Sequence, residues 1–266
     1  MKQALTQYLM IALMVVGAYM IGVYKTESEM LKKAAKQTPE LQAQQNQPQQ
    51  DVAPTVVTDE QMKALFEGKG NIVLGKKNAK LLIAEFSDAS CPYCHVAAGK
   101  NPELNNKIGP QFKMVADGGS YVPAVPEIKK LVEEGKARFV WIYTPGRGNG
   151  ELATKALYCA NEKGKFWEAH DKLYTSEAYD LINDVVKNDV GNSKRLAEFM
   201  APVLSVSEME NCLTSGKYDS RVVEDPKTVL SIGRFGTPTF IFHRTIFEGA
   251  QSFDSGMKQV VESVIK

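Results

Sequence analysis

Cys91 and Cys94, in the run SDASCPYCHVAA at residues 87–98, are the side chains whose spacing most directly implies chemistry. A C-x-x-C pair where a strand enters a helix puts the first sulfur at the helix N-terminus, where N–H groups without intrahelical partners point at it. That placement favours the thiolate, the nucleophile of disulfide exchange, and lowers its pKa. Pro92 suits the first helical turn, where its missing N–H costs nothing. Cys94, one turn on, lies underneath and can close the ring or resolve a mixed disulfide.

The same residues admit other chemistry. Half a zinc site needs two more ligands, but Cys159 and Cys212 stand alone and no second pair or His-x-His cluster exists. CPYCH at 91–95 also matches the C-x-x-C-H pattern of covalent haem attachment, although neighbouring strands do not suit the small helical domains that carry that haem. A purely structural disulfide at this spacing is strained and leaves the helix terminus unused. His95 belongs to the active-site loop, or merely caps or fills space.

Strands must hold this pair in place. Residues 81–86, LLIAEF, form a short and nearly continuous apolar run, which suits a strand covered on both faces. Glu85 lies on it, six residues before Cys91. A buried carboxyl there has a raised pKa and can accept the Cys94 proton; the alternative is a solvated acid at the strand end. Residues 138–143, RFVWIY, read as another strand, and the chain turns helical from Glu151, with Leu152, Ala156, Cys159 and Ala160 on one face. Met209, Cys212 and Leu213 follow a Ser207-x-x-Glu210 capping box. Phe240, Ile241 and Phe242 continue the sheet, Ile246 and Phe247 make a hairpin partner, and Gly249 ends it. Met257, Val260, Val261 and Val264 give an amphipathic last helix, with Ser252 or Asp254 as its start signal. Phe166, Trp167 and His170 read as core packing.

Upstream, residues 4–24 carry no charge and are long enough, at about 1.5 Å per residue, to cross a bilayer. Residues 1–25 are therefore a transmembrane anchor or a signal sequence. Retention is favoured, because no clean small-x-small cleavage site or lipid-attachment cysteine follows. Lys25, Lys32, Lys33 and Lys36 on the far side argue against export of the rest, but a large domain can translocate regardless of local charge. Residues 26–57 form a flexible linker whose stretch 37–50, QTPELQAQQNQPQQ, has seven glutamines and one charge, too little apolar area to offset chain ordering. A short helix over 58–67, with Thr58 or Asp59 as cap and Met62, Leu65 and Phe66 on one face, opens the folded domain. The 266-residue chain holds 32 basic and 31 acidic side chains, for a formal charge of +1. A sequence-independent grip on nucleic acid has no electrostatic basis at that balance.

Taken together, EF-x-D-x-x-CPYC (Glu85 to Cys94), ALYCANEKGKFWEAHDKLY (156–174) and FGTPTF (235–240) resemble the DsbA-like thiol-disulfide oxidoreductases. The resemblance covers roughly residues 70–266. It implies an α/β thioredoxin fold over 58–266, with an inserted helical subdomain at about 148–225, behind the transmembrane helix and disordered linker. It also implies a cis-proline loop at Thr237 and Pro238 facing the cysteines, where with Pro92, Tyr93 and His95 it borders the bound substrate. The implied partners are unfolded or folding exported proteins with free thiols and a quinone-linked membrane protein that reoxidises the pair. No cofactor or metal is required. The setting is the extracytoplasmic side of a bacterial membrane. Oxidase, isomerase and reductase share these residues, and a redox-inactive chaperone or peptide-binding module is the reading from another class.

In an oxidising compartment Cys159 and Cys212 form a structural disulfide, adding up to about 4 kcal/mol by loop entropy, or remain two buried thiols. About 25 residues, 97–121, depart from the family's pattern and include the non-periodic stretch KIGPQFKMVADGGSY. They are expected as a long loop, either functional or disordered, that can fold over the active site.

Overall fold

A capping box starts the first helix, α1 (Asp59–Glu67): the Thr58 hydroxyl accepts from the Gln61 N–H, and the Gln61 side chain accepts from the Thr58 N–H. Met62, Leu65 and Phe66 on its inner face are buried. The computed structural model describes residues 56–233 and 235–266. The expected anchor at 1–25 and nearly all of the linker lie outside them. No helix among the described residues is long and apolar enough to cross a membrane.

After α1 come β1 (Ile72–Gly75) and β2 (Leu81–Ser87), then α2 (Pro92–Ala98), α3 (Pro102–Ile108), α4 (Ala124–Glu133) and β3 (Ala137–Tyr143). Six helices follow: α5 (Glu151–Asn161), α6 (Phe166–Leu173), α7 (Ser176–Asp180), α8 (Ser193–Phe199), α9 (Val206–Thr214) and α10 (Asp219–Leu230). Then β4 (Thr239–Phe242), β5 (Thr245–Glu248) and α11 (Met257–Ile265) complete the chain. The five strands form one sheet in the order β1-β3-β2-β4-β5, with β2 and β3 parallel and the other neighbours antiparallel.

Central β2 explains its own composition. Leu81 and Ile83 face a core shared with Cys91, Cys94 and helices α4 to α9, while Ala84 and Phe86 face a second core with Met62, Leu65 and Phe66. Both faces are covered, so the strand carries no polar alternation. Because side chains alternate along a strand, Glu85 and Ser87 lie on the face of Leu81 and Ile83. That is the cysteine face.

Three local expectations are corrected. Segment 97–121 is not an open loop: Gly99 closes α2 in the left-handed region (φ 65°), and Asn101 caps α3 by accepting from the Leu104 N–H at 3.0 Å. Buried Asn105 donates to the carbonyls of Val96 and Phe112, and tight turns at Pro110–Phe112 and Val115–Asp117 lead to a bridge between Met114 and Tyr121. Such local hydrogen bonding leaves no apolar period to read. Helix α9 is capped by Ser205, which accepts from the Glu208 N–H, and not by Ser207. Finally, α11 starts after Gly256 without a side-chain cap, because Ser252 is engaged with Val122.

Candidate active site

Cys91 occupies the N-cap of α2 in extended conformation (φ −82°, ψ 125°), with Pro92 in the first turn. Its carbonyl accepts from the N–H groups of Cys94 and His95 at 3.1 and 3.3 Å. Both cysteines are free thiols, 5% and 1% exposed. Across from them the Thr237-Pro238 peptide is cis, and the Cys91 thiol donates to the Thr237 carbonyl at 3.4 Å. The hairpin holds that loop, since the Gly249 N–H donates to the Pro238 carbonyl at 2.8 Å.

The two thiols differ in acidity. The Cys94 thiol, donating to the Cys91 sulfur, is the largest influence pulling Cys91 down to about 6; burial opposes it, and the Thr237 side-chain hydroxyl and the N–H groups of Cys94 and Tyr93 assist. The helix terminus thus contributes through two N–H groups, but less than the neighbouring thiol. Burial, with Cys91 beside it, pushes Cys94 well above an ordinary thiol. The surroundings favour ionisation of the first sulfur and protonation of the second.

Glu85 is 1% exposed, between Trp141 on β3 and Phe240 on β4. Burial raises its carboxyl to about 8, eased downward by the Ser87 hydroxyl, and its Oε2 has no hydrogen-bond partner. A solvated strand-end acid is therefore excluded.

Loops on either side enclose the pair. Buried Asp88 accepts from the Ser90 N–H and hydroxyl at 2.7 and 2.8 Å, and from the Gly146 N–H at 2.7 Å, tying the approach to Cys91 to the loop after β3. Gly146 is a functional position that sequence reading missed. A Cβ there would strike Thr237 Oγ1 and lie 2.8 Å from Cys91 Cβ and 3.2 Å from its sulfur. The glycine-rich PGRGNG at 145–150 is the signal that could have flagged it. On the other side Tyr93 is 45% exposed and meets Phe112 edge-on, and Phe112 meets Tyr121 at 5.6 Å. Segment 97–121 therefore packs against the dipeptide between the cysteines.

His95 does not border a substrate. It is fully buried, with Nδ1 2.9 Å from the Tyr174 carbonyl and Nε2 2.8 Å from that of Ala89, and burial pushes it down to about 4. With no exposed surface, it cannot serve as a haem ligand either. His170 is also fully buried, stacked on Tyr174 at 4.1 Å. Cys159 and Cys212 are joined by a disulfide with Cα atoms 6.1 Å apart, bridging α5 to α9, so neither can complete a zinc site with Cys91 and Cys94.

The thioredoxin family model matches residues 124–262, just over half of the chain, including Thr237 and Pro238 but starting after the cysteine pair. Disulfide bond formation protein D of Bacillus subtilis (strain 168) is 23% identical over 202 residues, covering 74% of this chain and 78% of that protein. Among solved structures, oxidised BdbD from Bacillus subtilis aligns with a TM-score of 0.54 at 18% identity, covering 81% of this chain and 99% of that one. Wolbachia pipientis alpha-DsbA1 aligns with a TM-score of 0.57 at 16% identity, covering 77% and 96%.

Proposed function

The chain belongs to the thioredoxin family, and we propose that it works there as a DsbA-like thiol-disulfide oxidoreductase, introducing disulfides into exported proteins through Cys91 and Cys94. The observation that carries this reading is the asymmetry of the two sulfurs. Cys91 is favoured as thiolate and Cys94 as thiol, and whatever stabilises the reduced pair makes its disulfide the stronger oxidant. The name of the Bacillus subtilis relative supports the same direction.

In the forward reaction a substrate thiolate attacks the Cys91 sulfur of the Cys91 to Cys94 disulfide. The S–S bond breaks, Cys94 leaves as a thiolate and takes a proton, and Glu85 is the buried acid on the same face to supply it. A second substrate thiolate then attacks the substrate sulfur of the mixed disulfide and releases Cys91 as a thiolate. The product gains one disulfide, and the pair is left with two more electrons. A quinone-linked membrane partner restores the disulfide, and an anchor at 1–25 keeps the enzyme in reach of it on the extracytoplasmic side. The Cys159 to Cys212 bridge supports that location, since such bonds persist in oxidising compartments. Pro92, Tyr93, Thr237 and Pro238 border the substrate, and the Thr237 backbone beside Cys91 offers main-chain groups to a bound peptide.

Equilibration of the pair with glutathione tests the direction. A reduction potential near about −120 mV is expected, whereas one near about −270 mV assigns a reductase. Cys91→Ser is expected to abolish exchange. Retained function in that variant would identify a peptide-binding module instead.

A further inference from the structure

Arg147 is an exposed cation one residue from the wall of the site. Its neighbour Gly146 lies so close to Cys91 that an added Cβ would sit 3.2 Å from the sulfur. Consecutive Cα atoms are about 3.8 Å apart, so the Arg147 backbone follows one short step from the reacting atom. The N–H groups of Gly146 and Arg147 both donate to buried Asp88, at 2.7 and 3.3 Å, which holds this main chain to the approach to Cys91.

The guanidinium is held at its other end. Its Nη1 donates to the Tyr179 hydroxyl at 2.8 Å, and its central carbon lies 6.0 Å from the centre of that ring. Tyr179, on α7, packs edge-on against His95 of α2 at 4.9 Å. Beyond α7 the chain widens into a π turn, Leu181–Val186, within which Asn183 is buried. The Asn183 amide donates to the carbonyls of Tyr179 and Ser90, and its oxygen accepts from the Asn149 amide. Loop and helix thus fix Arg147 by both ends to the frame that carries the cysteines.

We propose that Arg147 is a specificity-determining residue that receives a carboxylate flanking the substrate cysteine. The proposal deepens the exchange reading above and rests on it. A guanidinium has five N–H donors, and the structure commits one of them to a neutral phenol. Among the described residues no carboxylate pairs with this head group; Asp88 takes main-chain N–H groups and the Ser90 hydroxyl instead. The planar fork matches a carboxylate through two parallel hydrogen bonds, and a fork already held in place loses less side-chain freedom on binding. A peptide joined to Cys91 lies between unlike walls. Tyr93 and Phe112 on one side are aromatic, and the loop of Gly146 and Arg147 on the other presents a cation. Gly146 has no side chain to screen that cation from a residue beside the reacting sulfur.

The test uses the oxidised full chain and synthetic cysteine peptides that carry Asp or Asn at the two positions flanking the cysteine. The second-order rate constant for reduction of the Cys91 to Cys94 disulfide, corrected for the thiol pKa of each peptide, gives an Asp-to-Asn ratio. A ratio of about 5 is expected at about 0.05 M salt, the upper range for an exposed ion pair, and it falls as salt rises. Arg147→Gln is expected to bring the ratio to about 1 and to remove its salt dependence. Arg147→Lys keeps the charge without the fork, Tyr179→Phe keeps the ring without the hydroxyl, and each is expected to give about 2. A ratio of about 1 in the parent, or one that Arg147→Gln leaves unchanged, overturns the assignment and leaves the exchange reading standing. A parent whose disulfide none of the cysteine peptides reduces overturns both.

Discussion

Phe112 meets Tyr93 edge-on, with ring centroids 5.9 Å apart and planes at 65°. One of the two residues between the cysteines is thus braced by segment 97–121. An aromatic pair of this kind is worth about 1 kcal/mol, enough to bias the exposed Tyr93 ring without holding up the fold. Phe112→Ala is expected to raise KM for protein substrates about 5-fold, as that coupling implies, and to leave the reaction with glutathione unchanged. Equal effects on both substrates would make the segment a structural prop and not a selector.

Acidity at Cys91 depends most on its partner. Because the Cys94 thiol is the largest influence holding Cys91 down to about 6, Cys94→Ala is expected to shift the midpoint of iodoacetamide alkylation upward by about one pH unit or more. The two helix N–H groups remain in the variant, so the midpoint stays below that of free cysteine. A midpoint that does not move assigns the acidity to the helix terminus alone.

Legibility in the sequence followed the range over which each feature is determined. Cys91, Pro92 and Cys94 act within one helical turn of each other, so spacing alone disclosed their arrangement. Thr237 and Pro238 came from resemblance, since nothing local states what faces them across the sheet. Glu85 was readable because both neighbours of β2 leave it no water, and the continuous apolar run around it signals that cover. Ser87 and Tyr174 are 87 residues apart, and a hydroxyl on a strand gives no sign of which distant hydroxyl it meets. At α9 the chain offers two overlapping Ser-x-x-Glu patterns, Ser205 to Glu208 and Ser207 to Glu210, and the first wins by starting the helix earlier. Segment 97–121 was opaque because its order comes from prolines, glycines and a buried asparagine, none of which leaves a period.

Glu85 makes stability depend on pH in a definite direction. Burial holds it up to about 8, so between the ordinary glutamate value and that pH the folded chain keeps a proton that the unfolded chain has shed. Its favourable contribution is complete below the unfolded value and is lost as pH rises through this window, levelling off above about 8. Glu85→Gln does not titrate. Relative to its own stability in acid, the variant is expected to gain on the reduced parent by on the order of a few kcal/mol by about pH 8. Urea unfolding of both proteins at several pH values checks this, and parallel pH dependences would show that Glu85 ionises like a solvated acid.

Gly146 tests whether the loop after β3 is a wall of the site or only borders it. Its N–H is committed to Asp88 at 2.7 Å, so the loop cannot retreat without breaking a part-buried hydrogen bond. A methyl group at this position meets Thr237 Oγ1 and both Cβ and Sγ of Cys91, leaving displacement of the Thr237 loop or of Cys91 as the remaining ways to fit. Misplacement of reacting atoms by about 1 Å costs about 100-fold in rate, and Gly146→Ala is expected to slow mixed-disulfide formation by that order while the Cys159 to Cys212 bridge stays intact. Melting should move little, because Gly146 itself is exposed and Cys91 is the only core residue its new methyl group meets. A parental exchange rate in this variant would mean that the Asp88 tether yields, and that access to Cys91 is governed from the Tyr93 side alone.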